Sequence, residues 1–306
     1  MIQIKDDSRP LVSVTVITYN SSKTVLETLE SIKAQTYQNL ELIVSDDCSQ
    51  DDTVAVCNCW LEKNKDRFVR SEVITVSENT GTAANCNRAV KACQGVFQKL
   101  IAGDDLLEPD CIQINVDSIG DADFALSDMI LFDDEKELGK TSNGKMLYAL
   151  AHLAPAKRLK MYCRTMIFMN PPSEFLRLSL YEKIGLFDEE LKILEDVTFF
   201  YNLLKSDARI VYIDKVTVRY RNSGISHSPE SSLRLQKLLI TAYNVYLRSH
   251  LSQWNLIDAL TILDFYFYDL AIKSKNMFML KAYKSRYNCF RKFRLWLINI
   301  TMKPVD

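Results

Sequence analysis

The chain has 306 residues, 47% hydrophobic and 25% charged, with a formal net charge of −1. That is the balance of a globular protein with one large domain or two small ones. It excludes nucleic-acid binding driven by bulk electrostatics, and no apolar run approaches the roughly 18 residues of a membrane-spanning helix.

The first residues, MIQIKDDSRP, lack an apolar signal core. Eight cysteines are scattered without a CxxC pair, and there are only three histidines. Cys57 and Cys59 therefore lack two obvious partners for a zinc site. Reduced thiols and no leader predict a cytoplasmic protein.

LVSVTVITYN (11–20) is β-branched and nearly continuously apolar, as a strand buried on both faces would be. After a polar turn, Val25, Leu29 and Ile32 recur at helical spacing. LELIVSDD (40–47) predicts a second strand and 53–64 a second helix. SEVITVSEN (71–79) predicts a third strand, 82–93 a helix ended by Gly95, and VFQKLIAGDD (96–105) a fourth strand. Four strand–helix alternations predict βαβ units in a doubly wound sheet. Further on, 122–132 reads as a strand, 133–145 as a charged loop and 176–184 as a helix. A helix over 195–204 precedes a strand pair over 208–221, and 231–300 reads as helical.

Each early strand ends in polar residues, which gathers Thr18, Tyr19, Asn20, Asp46, Asp47, Asn79, Asp104 and Asp105 on the rim where open α/β sheets bind ligands. Four aspartates fall in the seven positions from Asp46 to Asp52. No GxGxxG and no GxxxxGK[ST] occurs, so a bound nucleotide would rely on carboxylates and a metal rather than a glycine cradle. Asp104-Asp105 suits Mn²⁺ or Mg²⁺ bridging to a diphosphate, or else a helix cap. Glu195-Asp196 suits a general base, or else a helix-start pair facing the dipole.

Taken in order, SVTVITYN, ELIVSDDCSQDDT, ENTG with Asn87, IAGDDLLEPD, EKIGLFDEEL, the Glu195-Asp196 pair and VRYRNSGIS resemble the family 2 glycosyltransferases of the GT-A fold, over 11–226. The resemblance implies an α/β GT-A domain over 1–226, with a mostly parallel sheet flanked by helices and a helical C-terminal region over 227–306. It implies an inverting transfer of a sugar from a nucleotide-diphosphate donor, a UDP-sugar first, to a glycan acceptor, lipid-linked or soluble, in surface-polysaccharide assembly. Thr18, Tyr19 and Asn20 would line the nucleotide pocket, with Asp46 or Asp47 reading the base. Asp51 would cap the following helix. Asn79, Asn87 and Arg88 would lie near the diphosphate, and Tyr220 and Arg221 near diphosphate and acceptor. Asp104, with Asp105 beside it, would meet the metal; Asp196, with Glu195 beside it, would be the base. Two positions depart from the pattern: Ala102 where a D-x-D motif has its first acid, and Cys86 where an arginine is common. They motivate an alternative, a sugar-nucleotide-binding or scaffold subunit with degraded catalysis. A nucleotidyltransferase would expect a glycine-rich loop after the first strand.

From Leu270 to Val305 there is no acid and there are nine Lys or Arg. Within 281–300, Tyr283, Tyr287, Phe290, Phe293 and Leu297 share one broad helical face with basic residues around it. The pattern suits peripheral contact with the inner face of a cell membrane, or a helix packed on the catalytic domain.

Overall fold

The computed structural model describes residues 9–141, 143–165, 169–191, 194–222 and 237–273. The stretch 281–300 lies outside the described residues.

Strand β1 (Val12–Thr18) has β2 (Leu40–Asp46) on one side and β4 (Phe97–Ala102) on the other, both parallel. Val12, Val14 and Val16 are fully buried, as the β-branched run requires. Its buried hydroxyls are satisfied locally: Ser13 donates to Glu41 Oε1 at 2.5 Å and Thr15 accepts from Gln98 Nε2 at 2.9 Å. Strand β3 (Arg70–Thr75) adds in parallel outside β2.

The nine-stranded sheet runs β3-β2-β1-β4-β8-β6-β9-β5, with β5 Leu106–Leu107, β6 Phe124–Phe132, β7 Glu137–Lys140, β8 Phe175–Arg177 and β9 Ile210–Arg221; β7 pairs with β6. One face carries α1 (Val25–Lys33), α2 (Thr53–Asn64) and α4 (Cys111–Ile119), packed through Leu29, Ile32, Trp60 and Ile112. The other carries α3 (Thr82–Ala92), α5 (Gly144–Ala151), α6 (Pro155–Thr165), α7 (Leu180–Ile184) and α8 (Glu195–Lys205). This is the doubly wound, mostly parallel α/β sheet expected, closed by antiparallel pairings at β5, β7 and β8.

The C-terminal helical residues join the second core. Tyr243, Leu247 and Leu251 share it with Phe199 and Leu203 of α8. Helix α9 (Leu256–Lys273) is tied to α6 by Arg164 Nε donating to Asp258 Oδ1 at 2.6 Å, both side chains buried. None of the described helices is long and apolar enough to cross a membrane.

Four elements differ from the sequence reading. Residues 176–184 divide into a strand, β8, and the short helix α7, because a three-residue strand is too brief to show a period. The charged loop 133–145 contains β7, an exposed antiparallel partner of β6. The expected strand pair over 208–221 is one long strand, β9, whose register shifts opposite Ser127, Asp128 and Met129. Finally, α3 ends at Ala92 and leaves through an extended Cys93. Gly95 serves close packing instead: a Cβ there would lie 2.6 Å from Ser13 Oγ and 2.8 Å from the Leu11 carbonyl.

Candidate active site

In the order β3-β2-β1-β4 the chain winds outward from β1 and returns on its other side, so the crevice beyond the carboxyl ends of β1 and β4 is a topological switch point. Thr18 stands opposite Asp46 and Ile17 opposite Ala102 in the pairing register. Gly103 lets the β4 tip close on β1, since a Cβ would meet Thr18 Cγ2 at 2.8 Å.

The aspartate-rich loop after β2 is held by its own carboxylates. Asp46 accepts from Thr18 Oγ1 at 2.7 Å, Ser49 N at 2.8 Å and Ser49 Oγ at 2.6 Å. Ser49 Oγ in turn accepts the Asn20 N–H at 2.8 Å, while Asn20 Oδ1 takes the Gln50 N–H at 2.8 Å. Both loop tips turn through left-handed residues, Asn20 (φ 52°) and Cys48 (φ 66°), a conformation common for Asn and uncommon for Cys. Asp52 occupies the position before α2, yet the carboxylate that accepts the Thr53 N–H, at 3.0 Å, belongs to Asp51. It also accepts Ser22 N at 3.1 Å. Burial is the largest single influence on Asp51 and pushes it up, but the Thr53 and Ser22 donors together outweigh it and hold it at about 2.

Asp47 is saturated. It receives the Thr80 N–H at 3.1 Å, Thr80 Oγ1 at 2.6 Å, the Gly81 N–H at 2.7 Å and Arg88 Nη2 at 3.0 Å. Burial raises its pKa, and this ring of donors reverses the effect and holds it below the ordinary value. The pair Asp47–Arg88 thus fixes the start of α3 against β2. Asn79 donates to the Asp47 carbonyl at 3.3 Å. Asn87, expected near the diphosphate, clamps another loop: it donates to the Phe187 carbonyl at 2.9 Å and Glu189 Oε1 at 2.8 Å, and accepts the Phe187 N–H at 2.9 Å. Tyr19 remains 39% exposed at the mouth of the crevice.

At the β4 tip, Asp104 is half-buried, and burial raises its pKa. Asp105 is 1% exposed; its Oδ1 accepts the Arg221 N–H at 2.8 Å, and its buried Oδ2 has no hydrogen-bond partner. Burial and the neighbouring Asp104 push Asp105 well above the ordinary carboxylate value. The antiparallel pairing of Leu106 with Arg219 is what brings β9 here. Arg221 Nε donates to the Asp104 carbonyl at 2.9 Å, its Nη groups pair with Glu27 at 2.5 Å and with Asp134, and its guanidinium lies 4.6 Å from the Phe132 ring centre. Tyr220 packs against the first core.

On the second face of the sheet, α8 begins with Glu195 and Asp196. Phe199 and Phe200 anchor the helix on Phe124 of β6, with ring centres 6.0 and 6.1 Å away, and Phe187 stacks on Phe199 at 4.9 Å. Burial pushes Asp196 up to about 6, and burial plus Asp196 pushes Glu195 up to about 8. Glu195 Oε2 is buried without a hydrogen-bond partner among the described residues. Sequence reasoning passed over two residues here. Lys99, fully buried on β4, donates to the Glu174 carbonyl at 3.0 Å and to the Pro172 carbonyl. Glu174, buried just before β8, lies close enough to feel the charge of both Glu195 and Asp196. The available signal was a charge inside an otherwise apolar or proline-rich run, FQKLIA and NPPSEFL.

No group of three His, Cys, Asp or Glu able to enclose a metal exists among the described residues. One half-buried carboxylate, Asp104, nonetheless fits a cation that takes its remaining ligands from a diphosphate and water. Ala102 offers no oxygen to it.

The family model described as glycosyl transferase family 2 matches residues 13–185. The chain belongs to that family. Among curated relatives, an uncharacterized glycosyltransferase of Rickettsia typhi is 26% identical over 212 residues, 67% of this chain and 61% of that protein. Chondroitin synthase of Escherichia coli is 34% identical over 108 residues, 35% of this chain and 15% of the synthase. The chain thus spans about three fifths or less of these relatives' length. Among solved structures, S. aureus TarS 1-349 in complex with UDP-GlcNAc has a TM-score of 0.56 at 22% identity, covering 84% of this chain and 72% of TarS. Mannosyltransferase PcManGT of Pyrobaculum calidifontis, in complex with GDP-Man and Mn²⁺, has a TM-score of 0.59 at 18% identity, covering 95% and 87%. These glycosyltransferases share the fold of this family 2 chain.

Proposed function

We propose that this family 2 chain is an inverting glycosyltransferase that moves a sugar from a nucleoside-diphosphate donor to a hydroxyl of a glycan acceptor. The observation that carries the reading is two acid pairs whose carboxyls burial raises, Asp104-Asp105 at the β4 tip and Glu195-Asp196 at the start of α8, with the buried Lys99 and Glu174 between them. The first pair would meet the donor's diphosphate; the second is held on a helix anchored by phenylalanines.

Thr18, Tyr19, Asn20 and Asn79 line the nucleotide side. Asp46, Asp47 and Arg88 shape that wall. A UDP-sugar is the donor class favoured by the likeness to TarS, whose complexes hold UDP and UDP-GlcNAc. Asp104 would hold a divalent cation, which when bound supplies neutralisation of the departing diphosphate. Asp196 accepts the proton of the acceptor hydroxyl as that oxygen attacks the anomeric carbon and the bond to the diphosphate breaks. At about 6 its pKa leaves it ionised at neutral pH and basic enough for the task. Glu195 holds its proton beside it and does not compete for the base role. Arg221 fixes the β4 tip, and its two ion pairs, to the exposed Glu27 and Asp134, are open to exchange for phosphate oxygens. The basic aromatic segment 281–300 supports a lipid-linked acceptor at a membrane face.

Thermal-shift measurements with UDP, GDP, CMP and dTDP, each with and without Mn²⁺, test this reading. Stabilisation by one nucleotide, increased by the metal, is expected. No shift with any of them at millimolar concentration overturns it.

A further inference from the structure

Residue Glu174 sits between a 3₁₀ turn, Pro171–Ser173, and β8. Its backbone is nailed to the sheet. The carbonyl accepts Lys99 Nζ at 3.0 Å, and its N–H donates to the Pro171 carbonyl at 3.1 Å. The residue is only 4% exposed, yet its carboxyl makes no hydrogen bond among the described residues. A carboxyl on a residue this buried, with no hydrogen bond inside the fold, is available to a ligand. Among the described residues Lys99 is the one cation near it, and two of the lysine's donors go to the carbonyls of 172 and 174 rather than to the carboxyl. The other groups facing it are Glu195 and Asp196 from α8, Cys86 from α3 and Tyr181 from α7. Cys86 is small, neutral and fully enclosed where a long basic side chain would offer a counter-charge. The carboxyl is thus left without a hydrogen bond in the neighbourhood of Glu195 and Asp196.

We propose that Glu174 is a specificity-determining residue of the transferase site, its carboxyl hydrogen-bonding a ring hydroxyl of the donor sugar beside Asp196. This rests on the glycosyltransferase reading above and names what that site recognises. Burial, with Asp196 and Glu195 nearby, pushes Glu174 up to about 8. Near neutral pH the side chain is therefore a carboxylic acid, with one O–H to donate and one carbonyl to accept. That set matches a sugar hydroxyl, which also donates one bond and accepts another. It also avoids a second charge against Asp196 when the base is ionised. A site with a buried polar partner for a hydroxyl discriminates strongly against an analogue that lacks it.

The experiment uses the full chain with UDP-glucose, UDP-galactose, UDP-N-acetylglucosamine and GDP-mannose, followed by ring-deoxy analogues of whichever donor it turns over. Wild type is expected to lose roughly 10²-fold or more in kcat/KM on one deoxy analogue. Glu174→Leu should lose a similar factor on the parent donor and no longer distinguish the two sugars. Glu174→Gln, which keeps a donor and an acceptor, should retain most of the discrimination. A Glu174→Leu protein with unchanged melting that still discriminates overturns the proposal. So does a wild type that accepts every ring-deoxy analogue within about threefold of the parent, a result independent of whether the variants fold. If wild type turns over no nucleotide sugar and no nucleotide shifts its melting, the glycosyltransferase reading itself has failed and this proposal falls with it.

Discussion

Two groups of acids, one at the end of β2 and one at the β4 tip, β8 and α8, are built in opposite ways. On the β2 side, Asp46, Asp47 and Asp51 are each ringed by donors from hydroxyls, backbone N–H groups or an arginine. At the β4 tip and the start of α8, Asp105 Oδ2 and Glu195 Oε2 are buried without a hydrogen bond, and the Glu174 carboxyl makes none among the described residues. The two sides respond to burial with opposite sign. Donors hold Asp47 and Asp51 below the ordinary value, whereas Asp104, Asp105, Glu174, Glu195 and Asp196 are all pushed up by burial that outweighs the few donors and cations near them. Satisfied carboxylates are ionised struts that shape loops. Unsatisfied ones keep a capacity for protons and ligands, where a reaction needs it.

The largest effect that sharpens this contrast is on catalysis. Asp196→Asn should lower the rate of sugar transfer by roughly 10²–10⁴-fold, with donor affinity unchanged within a few-fold. Single-turnover transfer beside a separate nucleotide-binding titration checks it, and turnover at the wild-type rate would remove Asp196 from the base role. In wild type, kcat/KM should rise with pH through about 6 as Asp196 ionises.

On the other side, Asp47→Ala should act on stability. It leaves Arg88 without its counter-charge and the Thr80 and Gly81 N–H groups without an acceptor, a loss of about 3 kcal/mol. A urea midpoint shift of that size, with transfer near the wild-type rate at saturating donor, is expected. Normal stability with lost nucleotide binding would turn Asp47 from a strut into a base-reading group, and the comparison would break.

Much of this arrangement was legible in the sequence, for physical reasons. The β-branched runs at 12–18 and 40–46 announced strands buried on both faces, and the polar residue closing each run announced the rim. The helix face of α1 was visible in Val25, Leu29 and Ile32. What stayed hidden depended on tertiary partners. Nothing local in FLR shows that three residues bridge β4 and β6. Nor does Asn87 reveal that its amide clamps a loop a hundred residues away. A sequence shows that an aspartate closes a strand; only the fold shows whether four donors or none meet it. Lys99 and Glu174 were missed because a buried charge is legible only through its surroundings.

The smaller effects concern pH and stability, and the two sides should again differ in sign. Glu195 has an ordinary value of 4.5 and is raised to about 8 in the folded chain. The folded state binds that proton more tightly than the unfolded one. Its contribution to stability is therefore complete below about 4.5 and is lost as pH rises through 8. Melting temperatures should fall across that window in wild type and fall less in Glu195→Gln, which is neutral throughout. An identical slope in both proteins would show that Glu195 ionises freely and that the crevice is wetter than its burial implies.

Asp51 runs the other way. Its value drops from 3.8 to about 2 on folding, so its contribution is present above 3.8 and disappears as pH falls through about 2. The group is exposed, so solvent screens its charge, and the expected loss in Asp51→Ala is that of a helix-start acceptor, about 1 kcal/mol at neutral pH. The difference between variant and wild type should halve near pH 2 and shrink toward zero below it, where both lack the charge. A difference that persists there would assign the effect to packing around Ser22 and Thr53, because an acceptor's charge cannot act once it carries a proton.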